Sequence, residues 1–336
     1  MKVDLKGVDT FKLLAAIGIV AIHCSLPVLS SIGRLGVPYF IIISSYFFFK
    51  HYLAVKQGKN VYLKKYVRRL LFLFLSWEIF YIPIAINNSI KLFKTLNGFN
   101  IYSLFYWILA FCHVIPSDVS GWGPSWYIIA MIIGIPVFLL LYKILKGNLF
   151  ALGILCFSIE VYYVLASGYG SWTHLPVFGI YFFPRMLVYI YIGLLIEKYS
   201  KFFCQKKLLF YVKISFCLFV LFMLENTVIY MFNGSPSSEE IFLTAPTSWA
   251  ISLLSVKWQP KFKTSVEFRK FSTFLYCFQA IAIFLFEQII KEQVIFAPLL
   301  VKNICFLFVI LSAWISFKIY GCILKKIKWN FLSYMV

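Results

Sequence analysis

Ten long apolar runs decide what this chain can fold into. They lie at about 11–29, 35–53, 69–88, 126–145, 148–167, 177–197, 209–232, 241–256, 271–290 and 297–323. The run that starts at Trp126, WYIIAMIIGIPVFLLLY, does not alternate polar and apolar residues, as the strands of a membrane barrel do over roughly ten positions. Hydrophobic residues make up 62% of the chain and charged ones only 13%, against about 25% charged in a soluble domain. That is too much apolar surface for one water-soluble core. The expected fold is therefore an all-α polytopic membrane helix bundle of about ten transmembrane helices, a single domain over 1–336. The run 241–256 is short and holds Pro246. The stretch 101–116, IYSLFYWILAFCHVIP, is too short for a confident crossing and reads as a re-entrant or interfacial helix, with an eleventh span as the alternative. The first run is not a cleavable signal, because it carries Lys12 and His23 and a second span follows at once.

A formal net charge of +20 invites a nucleic-acid reading. The placement of the charges argues for topology instead. With the N-terminus in the cytoplasm and ten spans alternating, about 26 of the 32 Lys and Arg fall on the cytoplasmic side. Five fall outside: Arg34, Lys91, Lys94, Lys291 and Lys302. Arg185 remains within a run. Both termini are thus expected in the cytoplasm, and no nucleic-acid partner is expected. The eight cysteines form no CxxC pair, and Cys24, Cys156, Cys217, Cys277 and Cys305 sit inside apolar runs, where a small buried hydrophobe is the usual role. No structural disulfide and no metal site are expected. No internal repeat is evident, and with about a dozen residues after Lys325 no appended soluble domain is expected.

Within the first run, VDTFKLLAAIGIVAIH, the ionisable side chains are Asp9, Lys12 and His23. On an α-helix Lys12 and His23 lie roughly 20° apart around the axis and about 16 Å apart along it, with Asp9 within roughly 40° of His23. Such a polar stripe should face protein or a water-filled cavity, and we read it as one wall of an active site. His23 has the chemistry of a general base near neutral pH, with a packing histidine as the plainer alternative. Lys12 either binds an anion or snorkels to lipid phosphates. Asp9 either pairs with Lys12 or favours the helix start. Next comes RLGVPYFIIISSY, in which Arg34 opens the second span and Ser44 and Ser45 are small polar residues suited to helix packing. In VYLKKYVRRLL, the residues Lys64, Lys65, Arg68 and Arg69 give the positive-inside signal and also suit a phosphate-rich cytoplasmic donor. Glu78, Glu160, Arg185 and Glu225 are charges inside apolar runs and so candidates for function or for mutual pairing; Glu287 lies nearer the end of its run. The long loop 89–125 ends in GWGPSW, which reads as a lid, an acceptor groove or an interfacial aromatic belt.

These residues, in this order, resemble the acyltransferase-3 family of integral-membrane acyltransferases, over most of the chain. That family's first span has an acidic residue, an arginine and a histidine where Asp9, Lys12 and His23 stand, with lysine here for arginine. Its second span is matched by Arg34, Val37, Pro38, Tyr39, Phe40, Ser44, Ser45 and Tyr46, with Ser45 for a glycine. Its basic segment is matched by Lys64–Arg69, with Tyr66 for one arginine. Trp126, Tyr127 and Ile128 match the start of the fourth span, and Gly193 matches a glycine late in the sixth. Ser272, Phe274, Tyr276 and Gln279 match a late motif whose histidine is here Gln279.

The resemblance implies transfer of an acetyl group from cytoplasmic acetyl-CoA to a hydroxyl of a surface or capsular polysaccharide or its lipid-linked precursor, in a bacterial plasma membrane. It implies His23, Asp9 and Arg34 as catalytic residues, and Lys12, Lys64, Lys65, Arg68 and Arg69 as donor-binding. Ser44, Tyr46, Trp126, Tyr127 and Arg185 serve acceptor or structure. No cofactor is bound tightly; acetyl-CoA, a glycan acceptor and the lipid bilayer are the expected partners, with oligomeric state open. Two other readings stand beside it. Membrane domains of this kind are also fused to serine racemases and linked to amino-acid uptake, which makes a transporter-like module the runner-up. An inactive scaffold in glycan synthesis is the third.

Overall fold

The structure, a computed structural model, describes residues 5–115, 119–177, 183–233, 240–261, 265–290, 298–326 and 335. Its helices in order are α1 Lys6–His23, α2 Leu29–Gly33, α3 Gly36–Ala54, α4 Lys59–Thr95, α5 Ile101–Phe111, α6 Trp126–Ile144, α7 Leu149–Tyr163, α8 Gly170–Thr173, α9 Leu187–Lys198, α10 Ser200–Gln205, α11 Leu208–Asn233, α12 Thr244–Lys257, α13 Ser265–Ile290 and α14 Pro298–Lys326. No strand occurs among the described residues. The chain is a polytopic helical bundle, as its apolar runs dictate.

Each of the ten runs holds a helix, but they are not ten equal spans. Among the described residues seven segments are long and apolar enough to cross a membrane: Leu29–Ala54, Lys59–Thr95, Gly123–Ile144, Leu149–Gly168, Leu208–Phe232, Val266–Ile290 and Pro298–Lys326. The other three runs give α1, α9 and α12. Helix α1 has 18 residues and carries Lys6, Asp9 and Lys12. It stops at His23 and turns at Cys24, so the expected run to residue 29 is broken. Helix α9 has only 12 residues, because the chain before it forms a 3-10 turn, Phe183–Met186, around Pro184. Arg185 therefore lies in a turn at the mouth of the helix rather than inside a span, and residues 178–182 of the expected run lie outside the described part. Helix α12 has 14 residues, with Pro246 in its first turn, where a missing N–H costs nothing. The stretch 101–116 yields α5, an 11-residue helix closed at its start by a reciprocal Asn100–Ser103 capping box.

Helix α1 is central. It packs most extensively against α13 and also meets α2, α3, α12 and α14. Glycines permit the closest approaches. A Cβ on Gly33 would stand 2.1 Å from the Gly18 carbonyl oxygen, and one on Gly7 would stand 2.0 Å from that of Trp258. On the far side of α3, a Cβ on Gly193 would meet the Ser45 side chain at 2.6 Å. Two large cores flank this spine. One gathers Trp77, Tyr81, Trp122 and Phe274 from α4, the loop before α6 and α13. The other gathers Phe48, Phe49, Phe138 and Tyr189 from α3, α6 and α9. Leu307, Leu311, Ile315 and Ile319 form an exposed apolar row on α14, as a helix facing lipid should.

The GWGPSW loop is neither an interfacial belt nor an open groove. Trp122 is fully buried, stacked on Tyr81 at 5.4 Å and on Phe74 at 5.9 Å between ring centroids. It plugs the bundle beside α4. The same loop holds a buried polar knot in which His113 Nε2 lies 2.8 Å from Ser125 Oγ.

Candidate functional site

Two separate clusters gather several of the charges that the apolar runs carry. The first surrounds Lys12. Helix periodicity puts Asp9 and Lys12 on one side of α1, and Asp9 is buried while Lys12 is half-buried. Asp9 attracts the ammonium; Arg69 of α4 and Arg269 of α13 are close enough to repel it. The Lys12 Nζ lies 5.7 Å from the centre of the Phe47 ring on α3. Cations from α4 and α13, both exposed, thus approach Lys12 on α1, with Asp9 on the same helix. Polar side chains lie alongside. Ser44 Oγ lies 3.0 Å from the Tyr66 hydroxyl. Tyr127 packs edge-on to Tyr276 and beside Phe40. Tyr66, which stands where the resembled family has an arginine, is therefore a hydrogen-bonded wall.

This cluster divides the expected donor residues. Arg69 belongs to it. Lys64, Lys65, Arg68 and Arg69 are all exposed; Arg69 is the one that acts on Lys12, and Arg68 lies over Phe72 of its own helix, 5.3 Å from the ring centre. Tyr46 is also set apart. It is two residues, or about 200°, from Ser44 around α3, so it turns to the α9 side, where its backbone N–H meets Gly193 and its ring lines a small cavity of about 60 Å³. Arg269 was hidden in the sequence as one more cytoplasmic charge. Its place three residues before the Ser272 motif was the available signal.

His23 does not join Lys12. It is the last residue of α1 and is exposed. Between them on the same face stand Ala16 and Ile19, both buried, and Ile19 presses against Gly36 of α3. The polar stripe has two ends and a packed middle, so it does not form one continuous wall. Arg34 sits at the His23 end of the bundle, half-buried at the close of α2. It lines a cavity of about 610 Å³ together with Ile22, Ser25, Asn226 and Lys302.

The second charge cluster is closed. Arg185 Nε forms an ion pair with Glu240 Oε1, and its guanidinium lies 5.4 Å from the Trp126 ring centre. The Tyr189 hydroxyl is 2.8 Å from Glu240 Oε2 and 3.1 Å from Glu160 Oε1. All four polar residues are buried. Of the acids inside apolar runs, Glu160 thus shares this cluster with Arg185. The direct partner is Glu240, just ahead of α12 and outside the apolar runs. Trp126 and Arg185 are parts of this knot. Glu225 has another structural role. It accepts from the backbone N–H groups of Phe242 and Leu243, at 2.9 and 2.8 Å, and from the Tyr169 hydroxyl at 2.6 Å. It ties α11 to the start of α12. Among the described residues no group of three His, Cys, Asp or Glu has the placement of a metal site.

Comparison with known proteins fits this layout. The chain is 24% identical over 348 residues to a protein named amino-acid racemase from Enterococcus faecalis. The similarity covers 94% of this chain and 46% of that protein, so the chain spans about half the length of that relative. No solved structure matches it. The acyltransferase-3 family model, described as an acyltransferase domain, matches residues 5–317. This multi-pass membrane protein belongs to the acyltransferase-3 family.

Proposed function

We propose that this protein transfers an acetyl group from cytoplasmic acetyl-CoA to a hydroxyl of a cell-surface or capsular polysaccharide, or of its lipid-linked precursor, in a bacterial plasma membrane. The observation that carries the reading is the convergence of Lys12, Arg69 and Arg269 from three helices. Neighbouring cations from three helices suit a ligand rich in phosphate, and CoA carries three phosphate groups. Lys64, Lys65 and Arg68 add an attractive field at the approach. The pantetheine arm then points along α1 toward His23. There the acceptor hydroxyl gives its proton to the imidazole as its oxygen attacks the thioester carbonyl. The C–O bond forms, the C–S bond breaks, and the CoA thiolate leaves and recovers the proton from the imidazolium. Arg34, beside the same end, orients the acceptor, and Asp9 holds Lys12 in place. The packed Ala16 and Ile19 must give way for the arm to pass.

The test compares surface glycans of the native strain, a deletion strain, and deletion strains expressing the His23→Ala or Lys12→Ala protein. Proton NMR before and after mild alkali reports O-acetyl esters. Loss of those signals in all three altered strains, with the proteins present in the membrane, is the expected result. Retention with His23→Ala removes His23 from the chemistry; retention in the deletion strain overturns the function.

Similarity to a racemase-named protein more than twice as long favours one second reading, a transport module for a small amino acid such as serine. Counterflow of labelled serine in proteoliposomes, with no acetyl transfer, is the result that would establish it.

A further inference from the structure

The cavity at the His23 end of the bundle has a composition that the transfer reaction alone does not explain. Its volume of about 610 Å³ is within the range of small-molecule sites. Arg34 and Lys302 both line it, and among the described residues no Asp or Glu does. Only five Lys or Arg are expected on this side of the membrane, so two on one cavity are a concentration of charge. Asn226 adds a buried donor. It is 8% exposed; one amide N–H bonds to the Phe222 carbonyl at 3.0 Å, and a primary amide has a second N–H to offer. Ser25, Ser31 and Tyr230 supply hydroxyls.

The wall made by the α1–α2 turn is strained. Ser25 and Val28 have φ of 53° and 61°, and such a backbone costs on the order of 1–3 kcal/mol per residue. For β-branched Val28 it is a true outlier. The turn folds α2 back against α1 at the Gly18–Gly33 contact, which brings Ser31 and Arg34 to the cavity. Strain of this kind persists where the surrounding structure enforces it, and it concentrates at ligand sites.

We infer that this cavity binds the phosphate of a phosphate-bearing acceptor, such as a sugar phosphate or the phosphate of a lipid-linked glycan, with Arg34 and Lys302 as its cationic clamp. The acceptor role rests on the acetyl-transfer reading; the phosphate site does not. An arginine offers paired N–H groups to phosphate oxygens and a lysine a mobile point charge.

The test measures binding to the full-length protein in phosphatidylcholine nanodiscs by calorimetry, without acetyl-CoA. The probes are N-acetylglucosamine 1-phosphate and neutral N-acetylglucosamine. The phosphorylated sugar should bind at least about tenfold more tightly. Lys302→Ala should weaken that binding by about tenfold, a loss of roughly 1.4 kcal/mol. Lys302→Glu should abolish it and Lys302→Arg should preserve it, which also shows that the position tolerates change without loss of fold. Equal affinity for the two sugars, or undiminished binding to Lys302→Glu, overturns the proposal. A repeat in phosphatidylglycerol nanodiscs separates the sources. Unchanged sugar-phosphate affinity assigns the site to the acceptor; displacement by the lipid assigns it to a membrane phosphodiester and overturns the acceptor role. Because binding is read without the donor, failure of acetyl transfer leaves this result standing, and failure here leaves the Lys12 cluster untouched.

Discussion

The Lys12 cluster and the Arg185 cluster each bring charges from several elements together, yet they are built in opposite ways: Arg69 and Arg269 are exposed and Lys12 half-buried, whereas Arg185, Glu160 and Glu240 are buried. Around Arg185 the charge is closed. One cation meets two carboxyl groups, a phenol shares the space between them, and an indole covers the guanidinium. Around Lys12 the charge is open, with Lys12, Arg69 and Arg269 against Asp9. The Arg185 cluster holds helices together through hydrogen bonds among its own buried members. The Lys12 cluster leaves Arg69 and Arg269 exposed. Intramembrane charge alone therefore does not mark a functional site.

Substitutions should separate the two. The largest effect is expected from Arg185→Leu, which strands Glu240 in the core. Breaking a buried pair from one side costs about 3–5 kcal/mol, so the detergent-solubilised protein should lose much of its folded fraction in fluorescence-detected size exclusion. Acetylation should fall only in step with the folded amount. An activity loss with full folding would move Arg185 to the open class.

His113 provides a second closed cluster to test, outside the spanning helices. Burial pushes its imidazole down to about 4, against about 6.5 when unfolded. The folded state holds the neutral ring. Its contribution is therefore complete above pH 6.5 and is lost as pH falls from 6.5 toward 4, on the order of 2–3 kcal/mol. Thermal unfolding across that window should show the loss, and His113→Gln should flatten it.

In the open cluster, Lys12→Ala should leave folding intact and raise the KM for acetyl-CoA by about 10–100-fold, the worth of one charge-assisted contact of roughly 1.5–3 kcal/mol. Lys12→Arg should restore most of it. Arg269→Ala should raise the same KM by about tenfold, with kcat little changed. The smallest effect belongs to the exposed Lys64→Ala and Lys65→Ala, each within about twofold, because screened surface charge contributes roughly 0–1 kcal/mol. An effect at Lys64 as large as that at Arg269 would erase the distinction between the converging and peripheral cations.

What the sequence made legible was local. Apolar runs announced helices, and a lysine and an aspartate three apart inside such a run announced the core of the open cluster. What it hid was long-range. Arg185 and Glu240 are 55 positions apart, and Glu240 lies beyond the apolar runs in which a partner was sought. Arg269 was counted for topology, since nothing in one sequence ties α13 to Lys12. The end of α1 at His23 was obscured because Leu26 and Val28 continue the apolar run through a turn. Trp122 looked interfacial because aromatic residues near glycine and proline usually are, and only the stack with Tyr81 and Phe74 shows it to be a plug.

The glycine contacts have a mechanical consequence. Backbone pressed on backbone welds α12, α1, α2, α3 and α9 into a single frame, through Gly7, Gly18, Gly33 and Gly193. Helix α4 has its close glycine approach elsewhere, at Ala85 against Gly121 of the loop before α6. It leans on the frame through side chains, among them the Ser44–Tyr66 bond, and Pro83 lies within it, a point where a helix lacks one rung of its ladder and bends readily. The arm of α4 that carries Tyr66 and Arg69 lies on the N-terminal side of that proline, while Lys12 belongs to the glycine-packed frame. A cross-link that locks α4 to α3 leaves every charge of the cluster unchanged, so loss of activity on locking would show that loading the site needs α4 to move.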